Sequence, residues 1–162
     1  MNVHDILAWI ESSGLGNTVR DVAWIFPTLE TVHFMGLCVL FGSLMVVDLR
    51  LLGVARFIPM RPALKFVPIA IGGFCVNLCS GIGFFFADPF RYYPNVAFRL
   101  KMCLILIAGL NALWFQFVEL PKVRNLQPGE QTKLPVKFVA ALSLLLWISV
   151  IVAGRFMPYV EY

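Results

Sequence analysis

A chain of 162 residues, 60% hydrophobic and only 14% charged, lacks the polar surface of a water-soluble domain, in which roughly a quarter of residues are charged. Its mean hydropathy of +0.84 makes lipid the solvent for most of the surface. The net charge of +4 sits at the ends of apolar runs, where Lys and Arg report membrane orientation, and nothing in the pattern suggests a nucleic-acid partner.

Residues 2–13 read as a short amphipathic helix. Asn2 is placed to cap it, and Asp5 complements the helix dipole in the first turn. Val3, Ile6, Leu7 and Ile10 form one apolar stripe bordered by Trp9, and Gly14 and Gly16 are expected to end the helix. Such a helix lies in the membrane interface or caps a bundle, and the pattern leaves both open. The segment has no basic leader and no continuous apolar run, so it does not read as a cleavable signal peptide. The first hydrophobic span is expected to serve as its own insertion signal. Asn17 opens a second helical stretch, residues 18–24. It runs into Pro27, which is expected to kink or restart the helix.

Four apolar stretches follow, at about residues 25–47, 64–87, 97–118 and 136–157. Each exceeds the ~20 residues needed to cross a hydrocarbon core of about 30 Å. Short links at 48–63, 88–96 and 119–135 force antiparallel neighbours. The expected fold is all-α, an integral membrane up-down four-helix bundle preceded by an N-terminal amphipathic helix. Residues 1–24 form the interfacial segment, 25–158 the transmembrane domain and 159–162 a tail. The first and third links, with their flanks, carry eight of the thirteen Lys and Arg residues. That face is expected to be cytoplasmic, with both termini on the periplasmic side. Arg99 and Lys101, beside the second link, weigh against this bias.

Span two carries Gly72, Gly73, Cys75, Cys79, Ser80, Gly81 and Gly83, and span three carries Ala108, Gly109 and Ala112. Small residues at this spacing let membrane helices approach closely. Asn77 and Asn111 are expected to make interhelical hydrogen bonds, because polar groups in a medium without water need partners. Asp48 and Arg50 read as an ion pair or a helix-end anchor.

Candidate chemistry concentrates in span one. Glu30 and His33 share a helix face, and His33 lies about 9 Å beyond Pro27 along the helix. An ionisable residue at that depth is costly and marks a functional candidate. Imidazole is an axial ligand of haem iron, and the bland alternative is a neutral His33 bonded to Glu30 or to a neighbouring helix. A second axial ligand would come from His4, the other histidine, if the amphipathic helix folds over the bundle mouth, or from Met35 or Met102. Arg99 and Lys101 are placed to meet haem propionates, a quinone carbonyl or lipid phosphate, or to snorkel to headgroups. Cys75 and Cys79, four apart, offer soft ligands for copper, helped by Cys103 or His33. The bland reading of the four cysteines is small, reduced hydrophobes.

The run Pro27-Thr28-Leu29-Glu30-Thr31-Val32-His33, then Gly36, Gly42 and Val47-Asp48-Leu49-Arg50-Leu51-Leu52-Gly53, resembles an uncharacterised family of small four-span bacterial inner-membrane proteins. Asn95-Val96-Ala97-Phe98-Arg99-Leu100-Lys101-Met102 and Ala108-Gly109-Leu110-Asn111-Ala112 resemble the same family's third span. More distantly the pattern is similar to four-helix membrane proteins of the cytochrome b561 and copper-resistance D type. Those likenesses imply haem or copper handling, by analogy of fold. Where the family pattern often has a histidine after the Asn-Ala pair of span three, this chain has Leu113-Trp114-Phe115-Gln116, which weakens a bis-histidine assignment.

Three functions follow as expectations. The first is a b-type haem-binding electron-transfer subunit, with His33 and His4 as metal ligands and Glu30, Arg99 and Lys101 completing the cofactor site. It would work as a homo-oligomer or with a membrane or periplasmic redox partner. The second is a non-catalytic anchor or assembly subunit. The third is copper transport or sensing. The expectation is a redox or structural membrane subunit rather than a stand-alone enzyme.

Overall fold

Caps and prolines set the helix boundaries. The computed structural model describes residues 2–127 and 129–160; the last two residues of the expected tail, 161 and 162, lie outside them. Helix α1 (Val3–Glu11) starts where the Asn2 N–H donates to Asp5 Oδ2 at 2.9 Å. The next helix, α2 (Gly14–Asp21), begins three residues before the expected Asn17, because Ser13 Oγ accepts from the Gly16 N–H at 3.1 Å and caps it. Gly16 is required there for a second reason: a Cβ on it would stand 2.6 Å from the Phe86 carbonyl oxygen.

Span one is α3 (Ile25–Leu52). Pro27 lies in its first turn, where an N–H has no intrahelical acceptor, so it starts the helix and does not kink it. Gly53, at φ +85°, ends it in the left-handed region, five residues beyond the expected boundary. Span two combines α4 (Met60–Leu64) and α5 (Phe66–Ala87). A short turn, α6 (Pro89–Tyr92), leads to α7 (Val96–Trp114), which Asn95 Oδ1 caps through the Phe98 N–H at 3.0 Å. A π-helical turn at Phe115–Glu119 carries span three into α8 (Leu120–Val123). Pro121 has no N–H for an unbroken α-helical ladder, and the wider turn absorbs that defect. Span four is α9 (Leu134–Phe156), finished by a 3-10 turn, Met157–Tyr159. The spans hold 28, 28, 28 and 26 residues. At 1.5 Å per residue they reach about 40 Å, so their ends emerge among headgroups. Exposed Phe34, Leu106, Leu110, Phe138 and Leu145 suit lipid. The protein is an all-α, multi-pass membrane bundle.

Packing order differs from chain order. The helix α3 packs along α5 and also against α9, and α9 packs along α7. The spans therefore run second, first, fourth, third across the molecule. The spans on either side of the short second link, α5 and α7, are not among the closely packed pairs. They meet through the stacked rings of Phe85 and Phe98, 5.8 Å apart. The expected small-residue faces explain the tightest pairing. A Cβ on Gly73 would stand 2.6 Å from the Leu40 nitrogen, and one on Gly36 2.7 Å from Asn77 Nδ2. Gly72 and Gly109 face open space. Asn111 Nδ2 donates across the α7–α9 interface to the Val139 carbonyl at 3.1 Å, as expected, whereas Asn77 Nδ2 bonds its own helix at Gly73 O.

The dry core, Val47, Leu51, Met60, Val123, Val136 and Ala140, sits at the basic end of the bundle. Arg50 is wholly buried beside it, donating from Nε to the Ile58 carbonyl at 2.5 Å and from Nη2 to Gln127 O at 3.5 Å. It thereby ties the first link to the third, and Thr132 Oγ1 adds a bond to Leu51 O. The expected Asp48–Arg50 ion pair is not found among the described residues. Residues two apart point to nearly opposite sides of a helix, and the Asp48 carboxylate faces Ser143 on α9 instead. At the opposite end α2 lies on α5 and α3, and α1 on α6. Arg20 clamps this cap through Nη1 to the Ala87 carbonyl at 3.1 Å and Nη2 to Glu11 O at 3.3 Å. Leu7 is buried while Val3 and Trp9 remain exposed, so α1 packs one side against the cap and keeps an apolar face outward.

Candidate functional site

His33 is reached from two helices that touch through small residues. On α3 it lies one turn before Gly36; on α5 it faces Ser80, Gly81 and Phe84. Its Nδ1 is 2.7 Å from Ser80 Oγ, and the Phe84 ring lies edge-on at 5.4 Å. Ser80 Oγ in turn lies 2.7 Å from the Val76 carbonyl and 3.2 Å from the Asn77 carbonyl. A hydroxyl has one proton to give, and backbone carbonyls can only accept it. With that proton given to the Val76 carbonyl, Nδ1 is the donor to Ser80, and the neutral imidazole keeps its lone pair on Nε2. This is the arrangement in which ligating histidines are held, with one ring nitrogen fixed by a hydrogen bond and the other free for a metal or a proton.

Glu30 does not take part in that bond. It is exposed, and its charge is felt instead by Tyr92 in α6. Burial, above all, pushes the Tyr92 phenol above its ordinary value; Arg91 opposes the shift, and Asp88 and Glu30 add to it. His4 is on α1, its ring 5.0 Å from Phe90, in the cap over the same end of the bundle. No hydrogen bond among the described residues joins the two histidines.

Arg99 and Lys101, two residues apart on α7, separate. Arg99 stays at the surface, donating from Nε to Tyr93 O at 3.1 Å with its guanidinium 5.4 Å from the Tyr93 ring centroid. Lys101 turns inward. A Cβ placed on Gly154 of α9 would stand 3.4 Å from its Nζ, so the absence of a side chain at Gly154 makes room for the ammonium. Its charge reaches the His33 ring, and no carboxylate lies within ion-pair distance of it among the described residues. A small cavity of about 110 Å³ lies at the mouth of this region, between Tyr92, Asn95, Gly154 and Met157. The capped half of the bundle thus holds a nitrogen lone pair and a cation with no carboxylate partner among the described residues.

The other expected ligands point elsewhere. Met35 is exposed, as are Cys38, Cys75, Cys79 and Cys103. Cys75 and Cys79 lie off the Gly73–Ser80 face that meets α3. Among the described residues no three His, Cys, Asp or Glu side chains gather as a metal cluster. A haem asks less: one axial nitrogen and a cation for its propionates, and His33 and Lys101 are of that kind. Two features were not foreseen from the sequence. Ser80 stood in the small-residue stripe of span two, where its hydroxyl was the one polar signal. Gly154 carried none, because only tertiary packing brings it to Lys101.

A protein-family model for a family of unknown function, DUF6644, matches residues 6–160. No curated protein and no solved structure matches the chain.

Proposed function

We propose that this chain, which belongs to the DUF6644 family, is a membrane electron-transfer subunit that holds a b-type haem through Nε2 of His33. The observation that carries the reading is the fixed ring: Ser80 commits Nδ1 as a donor and leaves the other nitrogen as a base. Lys101 supports it as a cation facing the same interior and suited to a propionate. Haem would supply a one-electron couple within the bilayer. The protein's part is to fix the imidazole, balance the carboxylate charge and keep water out of the outer half. His4 or a second protomer would supply a sixth ligand. The copper reading has less support, because the cysteine thiols lie on exposed helix faces.

The test is a visible spectrum with metal analysis of protein made in haem-sufficient cells. A Soret band is expected, lost in His33→Ala and retained with altered position or width in Ser80→Ala. Lys101→Met is expected to lower the midpoint potential, because removing a nearby cation favours the oxidised iron. A colourless, metal-free protein that takes up no added haem overturns the reading in favour of an anchor or assembly subunit. Stoichiometric copper without haem would favour the third expectation.

A further inference from the structure

At the basic end of the bundle, where the start of span two meets the end of span three, Arg61, Leu64, Lys65, Arg124 and Asn125 line an open depression of about 620 Å³. One wall is braced by Arg61 Nη2 donating to Asn125 Oδ1 at 3.3 Å. The three cations have no carboxylate within ion-pair distance among the described residues, whereas neighbouring Lys122 is already committed to Glu119 at 3.1 Å. Three positive side chains gathered without a counter-charge around a hollow repel one another, so a ligand that brings negative charge is favoured there. Its level on the helices defines which ligand. The apolar residues just inside it, Ile69 on α5 and Phe117 on span three, are exposed, and α5 and α7 leave the space between them without close helix packing. Phosphate chemistry at the rim and hydrocarbon below it describe a phospholipid.

We propose that this depression binds the phosphate headgroup of an anionic phospholipid, its acyl chains lying along the lipid-facing surfaces of spans two and three. Basic pockets between membrane helices recognise such headgroups, each Lys or Arg near the surface contributing about fivefold in affinity. The site is separate from His33 and does not depend on the haem reading.

The experiment uses the full chain in neutral detergent, with binding read by native mass spectrometry. Three probes are compared: phosphatidylglycerol in mixed micelles, phosphatidylcholine in the same micelles, and inorganic phosphate alone. The wild type is expected to prefer phosphatidylglycerol, and Arg61→Gln, Lys65→Gln and Arg124→Gln are each expected to weaken it about fivefold. Arg56→Gln, whose side chain only reaches back to Gly53 O, is expected to leave the affinity unchanged. Equal binding of the two lipids, or unchanged affinity in all three variants, overturns the proposal. So does inorganic phosphate binding as tightly as the lipid, which would make this a free-anion site. If the variants fail to fold, the wild type decides through salt. The preference is expected to vanish as the Debye length falls from about 10 Å at 0.1 M to about 3 Å at 1 M, and its persistence at 1 M overturns the proposal.

Discussion

The Tyr92 phenol, its ring 5.7 Å from that of Phe98, is held above its ordinary pKa first by burial and then by Asp88 and Glu30, against Arg91. The fold therefore favours the neutral phenol. The stability this contributes is fully present below the unfolded value of about 10 and is lost as pH rises through the folded value. Thermal unfolding in detergent is expected to fall more steeply above pH 10 for the wild type than for Tyr92→Phe, which keeps the ring contact. Equal slopes would mean that the phenol titrates as if it were in water. At the same scale, His33 was legible because a lone imidazole in an apolar run is costly. Its partner was not. Spacing along the helix put Glu30 beside it, but a local i,i+3 neighbour is only one option, and the close approach of α5 supplied Ser80 from 47 residues away. Lys101 shows the same limit. Next to Arg99 in the sequence pattern, it reads as an interfacial anchor until Gly154 opens a place for it inside.

Helix existence followed from hydropathy, because a run of more than 20 apolar residues has few alternatives to crossing the membrane. Helix pairing depended on single glycines, which makes it testable. Gly73 lies against the backbone of α3, with a Cβ there 2.6 Å from the Leu40 nitrogen and 2.8 Å from the Gly36 carbonyl oxygen. Backbone cannot rotate aside as a side chain can. Gly73→Ala is expected to cost about 1–3 kcal/mol through overpacking. Gly72→Ala, next in sequence but facing open space, is expected to be neutral or to gain up to about 1 kcal/mol in helix propensity. Unfolding midpoints of the two variants in detergent check the contrast, and equal effects would remove the α3–α5 contact as the cause. The glycine stripe was visible in the sequence, yet Gly72 and Gly73 are indistinguishable there. The separation of α5 from α7 was also hidden. A short link makes two spans antiparallel, but their side-chain faces decide whether they pack. The small-residue face of α5 is already spent on α3.

Across the whole molecule the two ends are built differently. The basic end holds the dry core and Arg50, which joins the first and third links. The other end holds the cap, His33 and the inward-turned Lys101. This difference bears on orientation. In the sequence Arg99 and Lys101 both counted against placing the basic links in the cytoplasm. Lys101 turns inward against Gly154 of α9, so it is not an exposed flanking charge of the kind that sets topology. Arg50 is equally withdrawn by burial on the other side. Discounting one from each face leaves Arg56, Arg61, Lys65, Lys122, Arg124, Lys133 and Lys137 against Arg20, Arg91, Arg99 and Arg155. The asymmetry stays with the first and third links, and four spans return the chain to the side from which it started. Expressed in a bacterial inner membrane, a C-terminal alkaline phosphatase fusion is expected to be active and a C-terminal green fluorescent fusion dark. Moving the same reporters to a site between Gly53 and Pro59 is expected to reverse both signals. A bright C-terminal fluorescent fusion would place the basic links outside and turn the whole bundle over, carrying the His33 half to the cytoplasmic side.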